Sequence, residues 1–157
     1  MEKSVKPRKT ITYEQALHRL AAQCSRKEQC VSDIRKKMDV YELPAADRNK
    51  LLAHLQKEKF VDEARFCAAF VHDKSRYSHW GLHKIRYELK KKQLPDHLIR
   101  EALSRLTPDD TLPQLRQLLA AKRKTVQGKS DYEIRLKLMR YACGKGFSLE
   151  EVEKALD

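Results

Sequence analysis

Leu94-Pro95-Asp96-His97-Leu98-Ile99-Arg100-Glu101-Ala102-Leu103 and Phe147-Ser148-Leu149-Glu150-Glu151-Val152-Glu153-Lys154-Ala155-Leu156 share one pattern. Apolar residues coincide at the first, sixth, ninth and tenth places. The same register carries Ile85 onto Leu138 and Leu89 onto Ala142. One step towards the N-terminus, Ile34-Arg35 falls on Ile85-Arg86, Met38 on Leu89, and Leu43-Pro44 on Leu94-Pro95. A degenerate repeat of about 50 residues is the mark of a repeat architecture. A unit of that size buries little by itself, and stacking on its neighbours supplies the rest.

Working outward, each copy reads as three short helices. Thr12 opens a helix with Ala16, Leu17, Leu20 and Ala21 on one stripe. A second helix carries Val31, Ile34 and Met38 and ends by Leu43-Pro44, and a third runs from about Ala45 to Lys59. Asp62 caps the next, with Phe66, Ala69, Phe70 and Val71. Helices follow through Ile85 and Leu89, and through Leu98 to Leu106. Thr107-Pro108-Asp109-Asp110 reads as a break before a helix over about Leu112–Val126. Ser130 or Asp131 opens the eighth helix, Gly146 stops it, and Ser148 caps the ninth. The expectation is an all-α fold of three tandem three-helix repeats, 12–61, 62–108 and 109–157, forming an elongated, curved array. Residues 1–11 read as a disordered basic tail.

Composition agrees. Gly and Pro total 9 of 157 residues, too few turn formers for a sandwich or barrel. Leu, at 20, outnumbers Ile and Val together, at 12, a balance that favours helix over strand. No stretch approaches a membrane span of about 18 apolar residues, and the basic N-terminus lacks the apolar core of a signal peptide. The expected location is the cytoplasm, where Cys24, Cys30, Cys67 and Cys143 stay reduced and act as small hydrophobes. Their spacings fit no common zinc motif. His79 and His83 have the i, i+4 spacing of helical metal ligands but lack a neighbouring carboxylate cluster. Phosphate loops and nucleophile elbows are missing, and glycine occurs only at 81, 128, 144 and 146. Asp109-Asp110 suits a helix start better than a catalytic pair. No catalytic residue, cofactor or metal is therefore expected.

Charge is the outstanding feature. Lys and Arg number 34 against 22 Asp and Glu, a formal net charge of +12. Residues 12–61, 62–108 and 109–157 carry ten basic side chains each. That spread suits an extended polyanion or a long acidic groove rather than one small anion. Lys84, Arg86, Lys90 and Lys91 decorate the helix whose inward residues are Ile85 and Leu89. Tyr87, opposite the core, could stack on a base or anchor a protein contact. Lys122, Arg123 and Lys124 form a second cluster, and Arg135, Arg140 and Lys145 belong to a third. These eleven residues are the candidate binding surface.

The motifs also resemble the RecX family of RecA regulators. Leu55-Gln56-Lys57-Glu58-Lys59-Phe60-Val61-Asp62-Glu63-Ala64-Arg65-Phe66-Cys67 is similar to the family's L-x-x-x-G-[YF]-[ILV]-[DN]-D-x-R-[FY]-A. Gly81, Ile85, Glu88, Leu89 and Lys92-Gln93-Leu94 resemble its G-x-x-x-I-x-x-E-L-x-x-K-G-I. Arg140 with Lys145-Gly146-Phe147-Ser148 resembles the closing R-x-x-x-x-[RK]-G-F-[ST]. Lys59 and Gln93 stand where the family has glycine, so those turns require a left-handed non-glycine residue or another turn. Phe60 and Phe66 are expected to pack the joint between the first two repeats, and Gly81 to allow close helix approach. The resemblance implies a monomeric, non-enzymatic modulator lying in the groove of the RecA–DNA filament and restraining RecA's recombinase and co-protease activities in DNA repair and the SOS response. It implies weak contact with single- or double-stranded DNA and none with a membrane. A stand-alone helical nucleic-acid-binding protein is the alternative.

Overall fold

The computed structural model describes residues 9–157. Among them are nine α-helices: α1 Tyr13–Arg26, α2 Val31–Met38, α3 Ala45–Lys57, α4 Glu63–Arg76, α5 Leu82–Lys91, α6 Asp96–Leu103, α7 Pro108–Arg123, α8 Asp131–Gly144 and α9 Leu149–Leu156. The chain forms two compact units, Met1–Phe66 and Cys67–Asp157, and the division falls within α4.

Caps explain where the helices begin. Thr12 and Gln15 form a capping box on α1: the Gln15 N–H donates to Thr12 Oγ1 (3.2 Å) and the Thr12 N–H to Gln15 Oε1 (3.1 Å). Ser148 and Glu151 repeat that device on α9, at 3.1 and 2.8 Å. Asp62 Oδ1 accepts from the Arg65 N–H at the start of α4 (3.0 Å), and Ser130 Oγ from the Glu133 N–H at the start of α8 (3.2 Å). Each such cap contributes about 1 kcal/mol.

In the first unit, Ala16, Leu20, Ile34, Met38, Leu51 and Leu55 form the core of the α1–α3 group. Phe60 packs against its edge. The expected tail requires correction where it is described. Lys9 is paired with the α2–α3 connection: its N–H donates to Val40 O (2.8 Å) and its carbonyl accepts from the Glu42 N–H (3.0 Å). Ile11 is buried in the core. The rest of the expected tail, residues 1–8, lies outside the described residues.

In the second unit, Leu115, Leu118, Leu119, Leu138, Ala142, Phe147 and Val152 knit α7, α8 and α9 together. Ile85, Leu89, Ile99 and Leu103 are buried on α5 and α6. Phe66, the last residue of the first unit, is buried on α4. Gly81 and Gly146 bring two connections into backbone contact. The Gly81 N–H donates to Lys145 O (2.7 Å) and the His83 N–H to Gly146 O (3.1 Å). A Cβ on Gly81 would lie 2.5 Å from Phe147 N, and one on Gly146 would lie 2.5 Å from Lys84 Cβ. Gly146 also takes φ +102°, a region that L side chains rarely enter.

Several helix limits differ from the expectations: α3, α6 and α7 end at Lys57, Leu103 and Arg123 rather than Lys59, Leu106 and Val126, and two differences are larger. α2 stops at Met38, because Asp39 and Val40 already form the turn that meets Lys9. α7 begins at Pro108, four residues before the expected start. Thr107 is its N-cap residue, Pro108 needs no N–H donor in the first turn, and Asp109 and Asp110 face the positive end of the helix dipole.

Candidate nucleic-acid and protein interface

The core residues of α5 aim its basic side chains outward. Ile85 and Leu89 are fully buried, so Arg86 and Lys90, one step along from each, emerge on the flank that faces α6. There they line a depression of about 390 Å³ with Asp96, Ile99 and Arg100. Lys90 Nζ is 3.9 Å from Asp96 Oδ1, an ion pair at the limit of contact between exposed groups. Among the described residues neither Arg86 nor Arg100 forms an ion pair. Tyr87 stands 64% exposed, with Lys91 exposed one turn further on.

Other candidates are held by aromatic faces. Lys84 Nζ sits 4.5 Å from the centroid of Trp80, and Lys74 approaches the same ring to 4.7 Å. Lys122 lies 4.6 Å and Lys145 5.8 Å from the centroid of Tyr141. Cation–π contacts of this kind are worth about 0.5–1 kcal/mol at exposed sites. Arg135 pairs with Asp157 at 3.3 Å. Arg123, Lys124 and Arg140 are exposed and make no ion pair among the described residues. The eleven candidates thus divide: Arg86, Tyr87, Lys90 and Lys91 gather on α5, whereas Lys84, Lys122, Lys145 and Arg135 have partners of their own. Arg100 joins the α5 group although the sequence reading passed over it. Its only signal is its place one residue after the buried Ile99 on the helix that follows α5.

Three of the four thiols, Cys24, Cys30 and Cys67, are buried and Cys143 is exposed. Burial pushes the Cys24 and Cys30 thiols up from their ordinary value, which disfavours the reactive thiolate. His79 and His83 do not share a helix face as their spacing suggested, since α5 starts at Leu82 and His79 precedes it at φ 55°. No group of three or more His, Cys, Asp or Glu among the described residues could hold a metal ion. No helix among them is long and apolar enough to cross a membrane.

Fold and surface define an all-helical protein of three-helix domains that presents basic faces. The model of the second three-helix domain of RecX matches residues 62–103, and that of the third matches 109–156. The chain belongs to the RecX family. It is 27% identical over 144 residues to the "Regulatory protein RecX" of Geobacillus kaustophilus, covering 92% of this chain and 52% of that protein. The protein of the same name from Prosthecochloris aestuarii is 27% identical over 142 residues, 90% of this chain and 91% of its own length. That of Bacillus pumilus is 30% identical over 120 residues, 73% of this chain and 44% of its own length. The chain therefore spans about half the length of the Geobacillus kaustophilus and Bacillus pumilus proteins. A crystal structure of regulatory protein RecX shares the fold with a TM-score of 0.84 at 22% identity, over 92% of this chain and 73% of that one. The crystal structure of RecX from Lactobacillus salivarius gives 0.78 at 16% identity, over 92% and 94%.

Proposed function

We propose that the chain is a non-enzymatic, monomeric regulator of RecA. It binds the groove of the RecA–DNA filament and mainly inhibits RecA's recombinase and co-protease activities in the cytoplasm. One observation carries the reading: two RecX domain models match adjoining segments that together cover most of the chain. The even spread of ten basic residues over each of 12–61, 62–108 and 109–157 supports it, because a filament offers contacts over a long span. These three segments are the proposed repeats. The basic faces holding Lys84, Arg86, Tyr87, Lys90, Lys91, Lys122, Arg123, Lys124, Arg135, Arg140 and Lys145 are the proposed contact surface.

The test uses the cognate RecA with single-stranded DNA. The expected result is saturable binding to the filament and reduced ATP hydrolysis and strand exchange. Absence of binding together with unchanged RecA activity sinks the reading. Changing Arg86, Lys90 and Lys91 together to Glu is expected to weaken inhibition with helicity intact by circular dichroism. An unchanged inhibition curve removes α5 from the contact surface.

A second reading, a stand-alone nucleic-acid-binding protein, is favoured by Tyr87, a planar face 64% exposed among cations. It predicts equal affinity for bare and RecA-coated DNA at one salt concentration, with a steep salt dependence.

A further inference from the structure

The three helix groups can be laid on one another by burial. Ile34, Ile85 and Leu138 are each fully buried, and so, to within 1%, are Met38, Leu89 and Ala142. In this register the crease between the second and third helices of each group falls at one equivalent place, and its chemistry differs in all three.

In the first group the crease is a depression of about 230 Å³ that includes Arg35, Arg48 and Asn49. Arg48 stands where Ile99 and Val152 stand in the other two. Its guanidinium donates to Arg35 O (3.1 Å) and pairs with Asp39 Oδ1 at 2.6 Å, so its charge is answered from within. In the third group the equivalents of Arg86, Lys90, Asp96 and Arg100 are Met139, Cys143, Leu149 and Glu153, which bring no cation.

In the first crease Arg35 alone is left without an ion pair among the described residues, whereas the second crease, α5–α6, converges two such guanidinium groups. Arg86, Lys90 and Arg100 surround the single carboxylate of Asp96. That carboxylate is 75% exposed, and its one ion pair, to Lys90, spans 3.9 Å. Three cations against one screened anion leave the crease with a net charge of two. The floor is the buried Ile99, which keeps the charged groups at the rim.

We propose that the α5–α6 crease is a phosphate subsite that seats one backbone phosphate of single-stranded nucleic acid, with Tyr87 offering its ring to the adjoining base. Guanidinium forks match phosphate oxygens two at a time, as a lone ammonium does not. An aromatic ring beside a cationic groove is the arrangement that binds single strands without sequence preference. The assignment rests on the reading that the basic surface of this protein meets DNA; it narrows the eleven candidates to Arg86, Tyr87 and Lys90 and adds Arg100.

The test uses the full chain, a fluorescein-labelled oligothymidylate, inorganic phosphate and the RecA–DNA filament as separate probes. Arg86→Gln with Arg100→Gln is expected to weaken oligothymidylate binding roughly tenfold and to lower the log–log salt slope by about 0.7 for the lost phosphate contact. Arg19→Gln with Arg26→Gln removes equal charge from α1, outside the proposed contact surface, and is expected to weaken binding by less than about threefold. Inorganic phosphate should shift the Arg86 Nε–H and Ile99 methyl NMR signals saturably. Equal weakening by the two double variants, or unmoved signals, overturns the proposal. If the crease variant loses filament affinity but keeps oligothymidylate affinity, the crease meets a protein carboxylate. The subsite then falls while the RecA reading stands. If the wild-type chain ignores the filament yet binds oligothymidylate through the crease, the RecA reading falls and the subsite stands. Circular dichroism confirms that each variant retains its helices.

Discussion

Lys59 and Gln93 both hold φ 63°, a left-handed angle that costs a side-chain-bearing residue roughly 1–2 kcal/mol. Gln93 occupies the place that Gly146 occupies one repeat later, and the two turns close alike: the Leu94 N–H donates to Leu89 O and the Phe147 N–H to Ala142 O, each 3.3 Å. Lys59→Gly and Gln93→Gly are each expected to stabilise the fold by about 1 kcal/mol, read as a higher midpoint in urea. A lower midpoint would contradict the strain. Glu63 carries a different tension. One of its carboxylate oxygens is buried without a partner. Burial pushes the carboxyl up, an accepted hydrogen bond from the Val31 backbone opposes that, and the charge of Asp33 adds to the rise. A raised carboxyl binds its proton more tightly in the folded state, so its contribution to stability is full in acid and is lost as pH rises through the folded-state value. Wild type should therefore lose stability relative to Glu63→Gln as pH climbs through and above the carboxylate range. Chemical denaturation at a series of pH values checks this, and a difference that does not vary with pH refutes it.

At the level of elements, the α4–α5 connection and the α8–α9 turn are pinned by Gly81 and Gly146. A methyl group on Gly81 meets backbone, not a side chain that can swing aside. Gly81→Ala is expected to cost about 3 kcal/mol or more, seen in urea denaturation, whereas Gly144→Ala, with nothing within 4 Å of the added atom, should be harmless. Most helices were legible because their apolar spacing and their caps agree, as at Thr12, Asp62 and Ser148. α7 was misread because Pro108-Asp109-Asp110 looks like a break when read as turn formers and like a helix start when read as N1 and first-turn acids. The end of α2 was set too late because Tyr41 and Leu43 extend the apolar pattern after the helix has stopped; Tyr41 is buried from a turn. The candidate surface was legible as charge alone. Which cations remain unanswered depends on contacts between elements, such as Lys84 with Trp80, Lys122 with Tyr141 and Arg135 with Asp157, and no periodicity along one helix encodes them.

Over the whole molecule, an even count of basic residues conceals an uneven availability of charge. Among the described residues the first crease answers Arg48 and leaves only Arg35 without an ion pair, the equivalent positions of the third bring no cation, and the second keeps two arginines open to an incoming anion. The placement of the single tryptophan follows a similar asymmetry. Trp80 belongs to Cys67–Asp157, lies edge-on to Phe70 with ring centroids 6.3 Å apart, and adjoins Gly81. Fluorescence excited where tyrosine does not absorb therefore reports on that unit alone, while far-ultraviolet ellipticity sums the helices of both. Recorded together during thermal unfolding, the two signals form a built-in differential probe. Gly81→Ala is expected to move the emission midpoint to lower temperature and to leave an ellipticity step from Met1–Phe66 behind it. If both signals move together, the two units melt as one cooperative body.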